Sequence, residues 1–243
     1  MKYQGSKNRH GKEILDVIKG DCDYYSYDNW VEPFVGGANM IDKVNGMVRY
    51  GYDKNEYVIE LLKYVQTGGD LPDYIDELQY KFVKDNKHLH EKWLVGFVGV
   101  CCSFSCKWFG GFARNVSRAN PEAETLNKTT HNYCAESKRN LLKQRENILT
   151  VDFSYSDYRD IIIPDNSIVY CDPPYAGTTK YKDDFDSKEF WGWCDKLTEN
   201  GTKVYVSEYN APENWKCIWQ KEVNNTLDKD TGAKQGVEKL FSK

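Results

Sequence analysis

An open α/β fold with ligands held at the carboxyl ends of its strands is what this sequence predicts, and three stretches carry that reading. Val169-Tyr170-Cys171-Asp172-Pro173-Pro174-Tyr175 is an apolar run that ends abruptly in a carboxylate, two prolines and an aromatic ring. Ser167 to Cys171 has the β-branched and aromatic content of a strand covered on both faces, and consecutive prolines without backbone donors force a turn at Asp172. Trp30 to Met40 reads as a strand, a turn at Gly36-Gly37 and a helix start, the paired glycines letting the backbone approach a ligand closely. Met47 to Tyr52 reads as a second strand, ending in Asp53-Lys54-Asn55 ahead of a helical pattern from Tyr57 to Val65. Strands that each deliver a chemically rich loop belong to an open α/β sheet, whose crevice lies outside the strands' carboxyl ends.

With 243 residues the chain suits one catalytic domain and a modest insertion. The polar start, Met1 to Lys7, and the lack of an apolar stretch of membrane-spanning length predict a soluble, cytoplasmic protein. Eight cysteines without a repeated spacing are expected to be reduced thiols. His88, His90, Cys101, Cys102, Cys106, His131 and Cys134 do not form the usual zinc-ligand spacings, so no metal is expected. A net charge of −4 argues against a generic polyanion binder, but the distribution is uneven. From Cys101 to Thr150 there are eight bases and four acids, leaving that segment at +4 and the remainder at −8. Aromatic residues interleaved with those bases shift the reading from a solvated face towards DNA.

The remaining elements follow in chain order. Gly68-Gly69-Asp70-Leu71-Pro72 punctuates the chain and marks the start of an inserted region, within which 73–85 and 91–104 have helical spacing. Phe104 to Asn115 is too rich in glycine for a helix and too aromatic for an ordinary solvated loop. It forms either a small aromatic core or a DNA reader built from Lys107, Trp108, Arg114, Asn115 and Arg118, since Arg can pair with guanine and Asn with adenine. Residues 120–134 are polar and expected to order on DNA. Glu136 to Gln144 is helical, and Ile148 to Phe153 returns to the sheet. Past the catalytic strand come a polar loop from Thr178 to Phe185, expected to close over a base, and a helix from Lys188 to Leu197. A strand and loop from Lys203 to Asn210 and a hairpin from Trp215 to Phe241, turning at Asp228 to Gly236, complete the chain.

Asp172 and the Pro173 carbonyl, left at a strand end, suit one task in particular: holding the exocyclic amine of a base. Two acceptors would draw its protons into a tetrahedral arrangement and localise the nitrogen lone pair, while Tyr175 stacks on the ring. Here the sequence resembles the Dam-type (alpha-group, DPPY) DNA adenine methyltransferases, whose catalytic motif is this tetrapeptide after a hydrophobic strand. The resemblance covers nearly the whole chain, with cofactor element, glycine motif, recognition insertion and tetrapeptide in that order. It implies a Rossmann-like core dependent on S-adenosylmethionine (SAM), residues 1–70 and 146–243, interrupted by a mostly helical DNA-recognition domain at 71–145. The implied reaction moves a methyl group from SAM to the N6 amine of an adenine flipped out of duplex DNA, with Asp172, Pro173, Pro174 and Tyr175 catalytic.

For the cofactor, the resemblance implies that Tyr3, Gly5, Ser6 and Lys7 close over SAM, and that Glu32, Pro33, Phe34, Gly36 and Gly37 cradle it. Asp53 and Asn55 then lie at the ribose, with Asp53 an alternative helix N-cap. Asp152 and Phe153 hold the adenine ring, and Asp172 also borders the cofactor. Ala38 and Asn39 after the glycine pair depart from the commoner arrangement, which leaves open which backbone groups touch SAM. Ser207 to Asn210 is a further candidate at the border of the base pocket. The resemblance also suggests a solitary enzyme, such as a phage or mobile element carries, with no obligate protein partner. Two alternatives stay open: a cytosine-N4 methyltransferase, although those more often carry Ser in place of Asp172, and a protein that binds SAM and DNA without turnover. A nicotinamide dehydrogenase is disfavoured by the missing G-x-G-x-x-G spacing.

Overall fold

The computed structural model of the chain describes residues 1–114, 132–174, 185–224 and 235–243. Among the described residues the strands are β1 (Asn29–Glu32), β2 (Val48–Asp53), β3 (Val151–Tyr155), β4 (Ser167–Cys171), β5 (Lys203–Glu208), β6 (Lys216–Asn224) and β7 (Gln235–Ser242). They form one sheet in the order β3-β2-β1-β4-β5-β7-β6. The first five run parallel, and β7 lies antiparallel between β5 and β6. Connections leave β1 in one direction and β4 in the other, so the sheet has its switch point between them. Every residue of β4 is buried, as its unbroken apolar content requires of a central parallel strand.

Strand alternation divides the core into two layers. Trp30, Tyr170, Tyr205 and Leu240 face one side, joined by Ile14 and Ile18 of α1 (Gly11–Asp21) and by Ile59 and Leu62 of α2 (Glu56–Gln66). Val31, Val169, Cys171, Val204, Val206 and Phe241 face the other, where α6 (Ser187–Glu199) supplies Phe190, Trp191 and Cys194. Side-chain oxygens start these helices: Asn55 accepts from the Tyr57 and Val58 amides, and Asp186 from those of Lys188 and Glu189.

Between α2 and β3 the chain forms α3 (Glu77–Asp85), opened by an Asp76/Gln79 capping box, then α4 (Lys92–Gly96) and later α5 (Tyr133–Ile148). Their buried residues, among them Tyr80, Val83, Val95 and Leu141, belong to the same cluster as Trp30. Gln144 of α5 reaches the glycine turn itself, donating to the carbonyls of Gly37 (3.1 Å) and Ala38 (2.8 Å) and to Asp42 (2.9 Å).

Several element readings change. No helix follows the glycine turn: Ala38 sits at φ +55°, and only a 3-10 turn at Ile41–Lys43 fits before β2. α1, which the apolar pattern left unread, covers that ground instead, with a Cβ at Gly11 coming 3.0 Å from Met40 Sδ. The helix expected over 91–104 is α-helical only to Gly96 and continues as a π turn, Phe97–Cys101. Close packing dictates this course, since a Cβ at Gly96 would fall 2.1 Å from the Tyr57 carbonyl oxygen of α2. Ile148 closes α5 rather than opening β3, its side chain being wholly buried under the helix face.

Candidate active site

Parity along four strands gathers the acidic residues on one side of the crevice. Glu32 shares a face with Trp30, Asp172 continues the face of Tyr170, and Ser207 that of Tyr205. β7 runs the opposite way, with Leu240 opposite Ser207 and Lys239 opposite Glu208, so its amino-proximal residue Glu238 stands just past the carboxyl end of β5. Glu238 shares the face of Leu240, which packs with Trp30, Tyr170 and Tyr205. Three carboxyl groups therefore meet on one layer at the switch point.

Lys7 closes over them. The N-terminal segment forms a 3-10 turn at Lys7–Arg9 capped by Ser6, whose hydroxyl accepts from the Asn8 amide at 3.2 Å. Gly5, at φ +76°, provides the reversal that turns Lys7 inward. Its ammonium lies 2.8 Å from Asp172 Oδ1, 3.5 Å from Glu238 Oε2 and 3.3 Å from the Gly5 carbonyl oxygen, with only 5% of the side chain exposed. Burial works against the charged amine, but Asp172 and Glu238 outweigh it and hold Lys7 above the ordinary lysine value.

Glu32 is buried, and its carboxyl accepts from the Trp30 indole N–H at 2.9 Å. Burial pushes its pKa well up, the indole hydrogen bond offsets part of that, and the charges of Asp42 and Asp172 add to the rise. Pro33 is buried behind it, while Phe34 turns to the opposite layer and packs edge-on to Phe190 at 5.7 Å. Gly36, at φ +45°, and Gly37 lie directly under the Tyr3 side chain: an added Cβ would come 2.8 Å from the ring at Gly36 and 2.7 Å from Tyr3 Cβ at Gly37. The two cofactor elements of the sequence thus pack on each other.

Asp53 ends β2 and anchors that turn. Its oxygens accept from the Gly36 amide (2.9 Å) and the Asn55 amide (2.8 Å). Burial raises its pKa and these two N–H groups partly counter the rise. The N-cap role goes to Asn55, so Asp53 is left with lone pairs that the two amides do not use. Phe153 lies under β2, where a Cβ at Gly51 would meet its ring at 2.8 Å. Asp152, one residue earlier, faces the other way and is exposed.

The proposed DNA readers sit apart from this group. Trp108 stacks on Tyr57 of α2 at 5.6 Å and packs against the main core, and Lys107 beside it is half-buried. Arg114 is exposed and forms a two-point pair with Glu77 at 2.5 and 3.0 Å. Ser207 is engaged with Tyr170, hydroxyl to hydroxyl at 2.7 Å. Tyr175, Asn115, Arg118, most of the 120–134 stretch and of the Thr178-to-Phe185 loop, and nearly all of the Asp228-to-Gly236 turn lie outside the described residues. Burial pushes the Cys171 thiol next to Asp172 well up, which keeps it protonated and unreactive. The sequence reading gives no site role to Glu238 or Gln144. A signal for Glu238 existed, namely a carboxylate in register with the core-facing Leu240.

A Rossmann-like sheet that reverses at β1 and β4 and carries carboxylates and a glycine turn at that point defines a nucleotide-handling enzyme core. A family model for D12 class N6 adenine-specific DNA methyltransferases matches residues 3–94 and 101–226. The chain belongs to that family: it is an enzyme that transfers a methyl group from SAM to N6 of adenine in DNA. Among solved structures it is similar to the rRNA methyltransferase AviRa from Streptomyces viridochromogenes, at 10% identity, covering 89% of this chain and 76% of that one with a TM-score of 0.38. It is also similar to SMU.472, described as a methyltransferase in complex with SAH, at 9% identity, covering 99% of this chain and 53% of that one with a TM-score of 0.38. Both likenesses are too weak to add to the assignment, which the family match carries alone.

Proposed function

We propose that Asp172 is the carboxylate that holds the adenine amine, with the Pro173 carbonyl as second acceptor and the turn at Pro174 and Tyr175 shaping the base pocket. The observation that carries this reading is the position of Asp172, at the end of the central strand β4, on the switch point, and ion-paired to a buried ammonium at 2.8 Å. SAM, when bound, supplies a methyl group on a sulfonium, which the amine accepts as the carbon–sulfur bond breaks. The residues present fit such a cation. Asp172 offers a carboxylate beside Glu32 at the strand ends, the Gly36-Gly37 turn lies against Tyr3 of the covering segment, and Asp53 retains lone pairs for ribose hydroxyls. Tyr3, Gly5, Ser6 and Lys7 would cover it, Pro33 and Phe34 would shape the crevice wall, and Asn55 and Phe153 would border its nucleoside.

An adenine inside a duplex cannot reach this crevice, so the base leaves the stack at a cost of a few kcal/mol, of which stacking on Tyr175 returns about 1–3 kcal/mol. Asp172 then fixes the amine and opposes the positive charge that grows on it, which makes positioning and electrostatics the main sources of rate. We read 71–145 as the recognition region, where Lys107, Trp108, Arg114, Asn115 and Arg118 would meet duplex DNA, and 1–70 with 146–243 as the catalytic region. The exposed Arg114–Glu77 pair supports that use, because an exposed ion pair is cheaply exchanged for a phosphate or a base edge. A solitary cytoplasmic enzyme, of the kind a phage or mobile element carries, fits a sequence in which no stretch suggests a nuclease.

The test is Asp172→Ala, assayed with SAM and unmethylated duplex DNA. Loss of a charged contact to the developing cation should lower the single-turnover rate about 10²- to 10³-fold or more while SAM affinity largely survives. Turnover near that of the unaltered enzyme would overturn the assignment.

A further inference from the structure

We propose that Glu238 of β7 is a positioning residue for methyl transfer, the second anchor that receives the Lys7 ammonium when the adenine amine takes its place on Asp172. This rests on the reading of Asp172 given above. Residue 238 lies beyond the family-matched segments, which end at 226. As the sheet stands, Asp172 Oδ1 is engaged by Lys7 at 2.8 Å. An incoming amine that donates to Oδ1 competes there with Lys7, which then needs another partner. A buried ammonium that loses its carboxylate is costly to leave unpaired. Glu238 removes the obstacle: its Oε2 is already 3.5 Å from Lys7 Nζ, and a small shift of a flexible side chain completes the exchange without leaving the crevice.

Charge gives a second reason. Glu238 places a second carboxylate beside the Lys7–Asp172 pair, which offsets the ammonium as positive charge grows on the amine nitrogen. Backbone geometry makes Glu238 a suitable anchor, because its Cα is fixed in a paired strand with Lys221 opposite, whereas Asp172 lies just past the end of β4. Buried nearby, Glu32 is not placed for this task, since its carboxyl is committed to the Trp30 indole on its own strand.

The experiment compares Glu238→Gln and Glu238→Asp with the unaltered full chain. Single-turnover methyl transfer to unmethylated duplex DNA is measured alongside SAM affinity by calorimetry and the KM for DNA. Glu238→Gln keeps the shape and removes the charge, so the rate should fall about ten- to a hundredfold, the range for one charge-assisted hydrogen bond, while SAM affinity and KM hold. Glu238→Asp should recover part of the rate, because the anion is kept and only its reach shortens. A Glu238→Gln rate within twofold of normal would overturn the proposal, as would equal rates for the two variants or a parallel loss of SAM binding. Asp172→Ala run beside them separates two failures. If it retains turnover, the reading of the site falls; if it is inactive while Glu238→Gln is normal, only the role of Glu238 falls.

Discussion

Charged residues in the crevice and charged residues along the helices from α2 to α5 are held in opposite ways. Glu32 and Asp53 are set into the ends of β1 and β2, and their carboxyl groups are steadied by an indole and by backbone amides. Burial raises the pKa of both, so the fold tolerates these groups at a cost. Along those helices the pairs are salt bridges at the surface: Arg114 with Glu77, Lys138 with Asp70 and Asp73, Lys92 with Glu56. Such pairs contribute little to stability and are screened by salt. The difference is between carboxyl groups fixed by strand ends and hydrogen bonds and surface pairs that exchange partners cheaply.

The contrast is broken most severely at Asp53. Asp53→Ala removes the acceptor for the Gly36 and Asn55 amides and with it the anchor of the glycine turn. SAM affinity should fall about ten- to a hundredfold, as expected for one or two hydrogen bonds to a charged group. Calorimetric titration with SAM decides the matter; affinity within twofold of normal, together with a lowered melting temperature, would leave Asp53 a role in the turn alone.

Glu32→Gln sharpens the contrast through pH. A carboxyl whose folded pKa lies above its unfolded value binds more protons in the folded state, so its contribution is fully present below the unfolded pKa, about 4.3, and is lost as pH rises towards the folded one. Glutamine does not titrate. The variant should therefore melt higher than the unaltered chain at pH 8, by roughly 2–4 °C for each kcal/mol relieved, and the gain should shrink towards pH 5. An equal difference at both values would mean that Glu32 does not titrate over that range.

What the sequence disclosed followed from local pattern. β4 and Asp172 were legible because an unbroken apolar run ending in two prolines has few other readings, and β2 with Asp53 because the following helix signals where the strand stops. Features set by distant packing were not. The missing helix after Gly37 depends on α1 occupying its place, and the π turn at Phe97–Cys101 on the approach of Gly96 to Tyr57. Glu238 escaped because its meaning lies in antiparallel register with β5, a pairing between segments far apart in the chain. Asp152 and Phe153, adjacent in the motif, are set on opposite faces of β3 by strand parity.

The mildest change tests the insertion. Arg114 is exposed and already paired with Glu77, so Arg114→Ala should leave the melting temperature and SAM affinity unchanged. If the guanidinium leaves Glu77 for a DNA phosphate, the variant loses one counterion-releasing contact. Its affinity then drops at every sequence alike, and the slope of log K against log salt becomes shallower by about 0.9. A guanine contact behaves differently, because the loss is confined to sequences carrying that base and preference at that position relaxes. Binding of several duplexes across a salt series separates the two. An unchanged slope with unchanged preference would return Arg114 to the surface pairs and place DNA contact elsewhere in the basic segment.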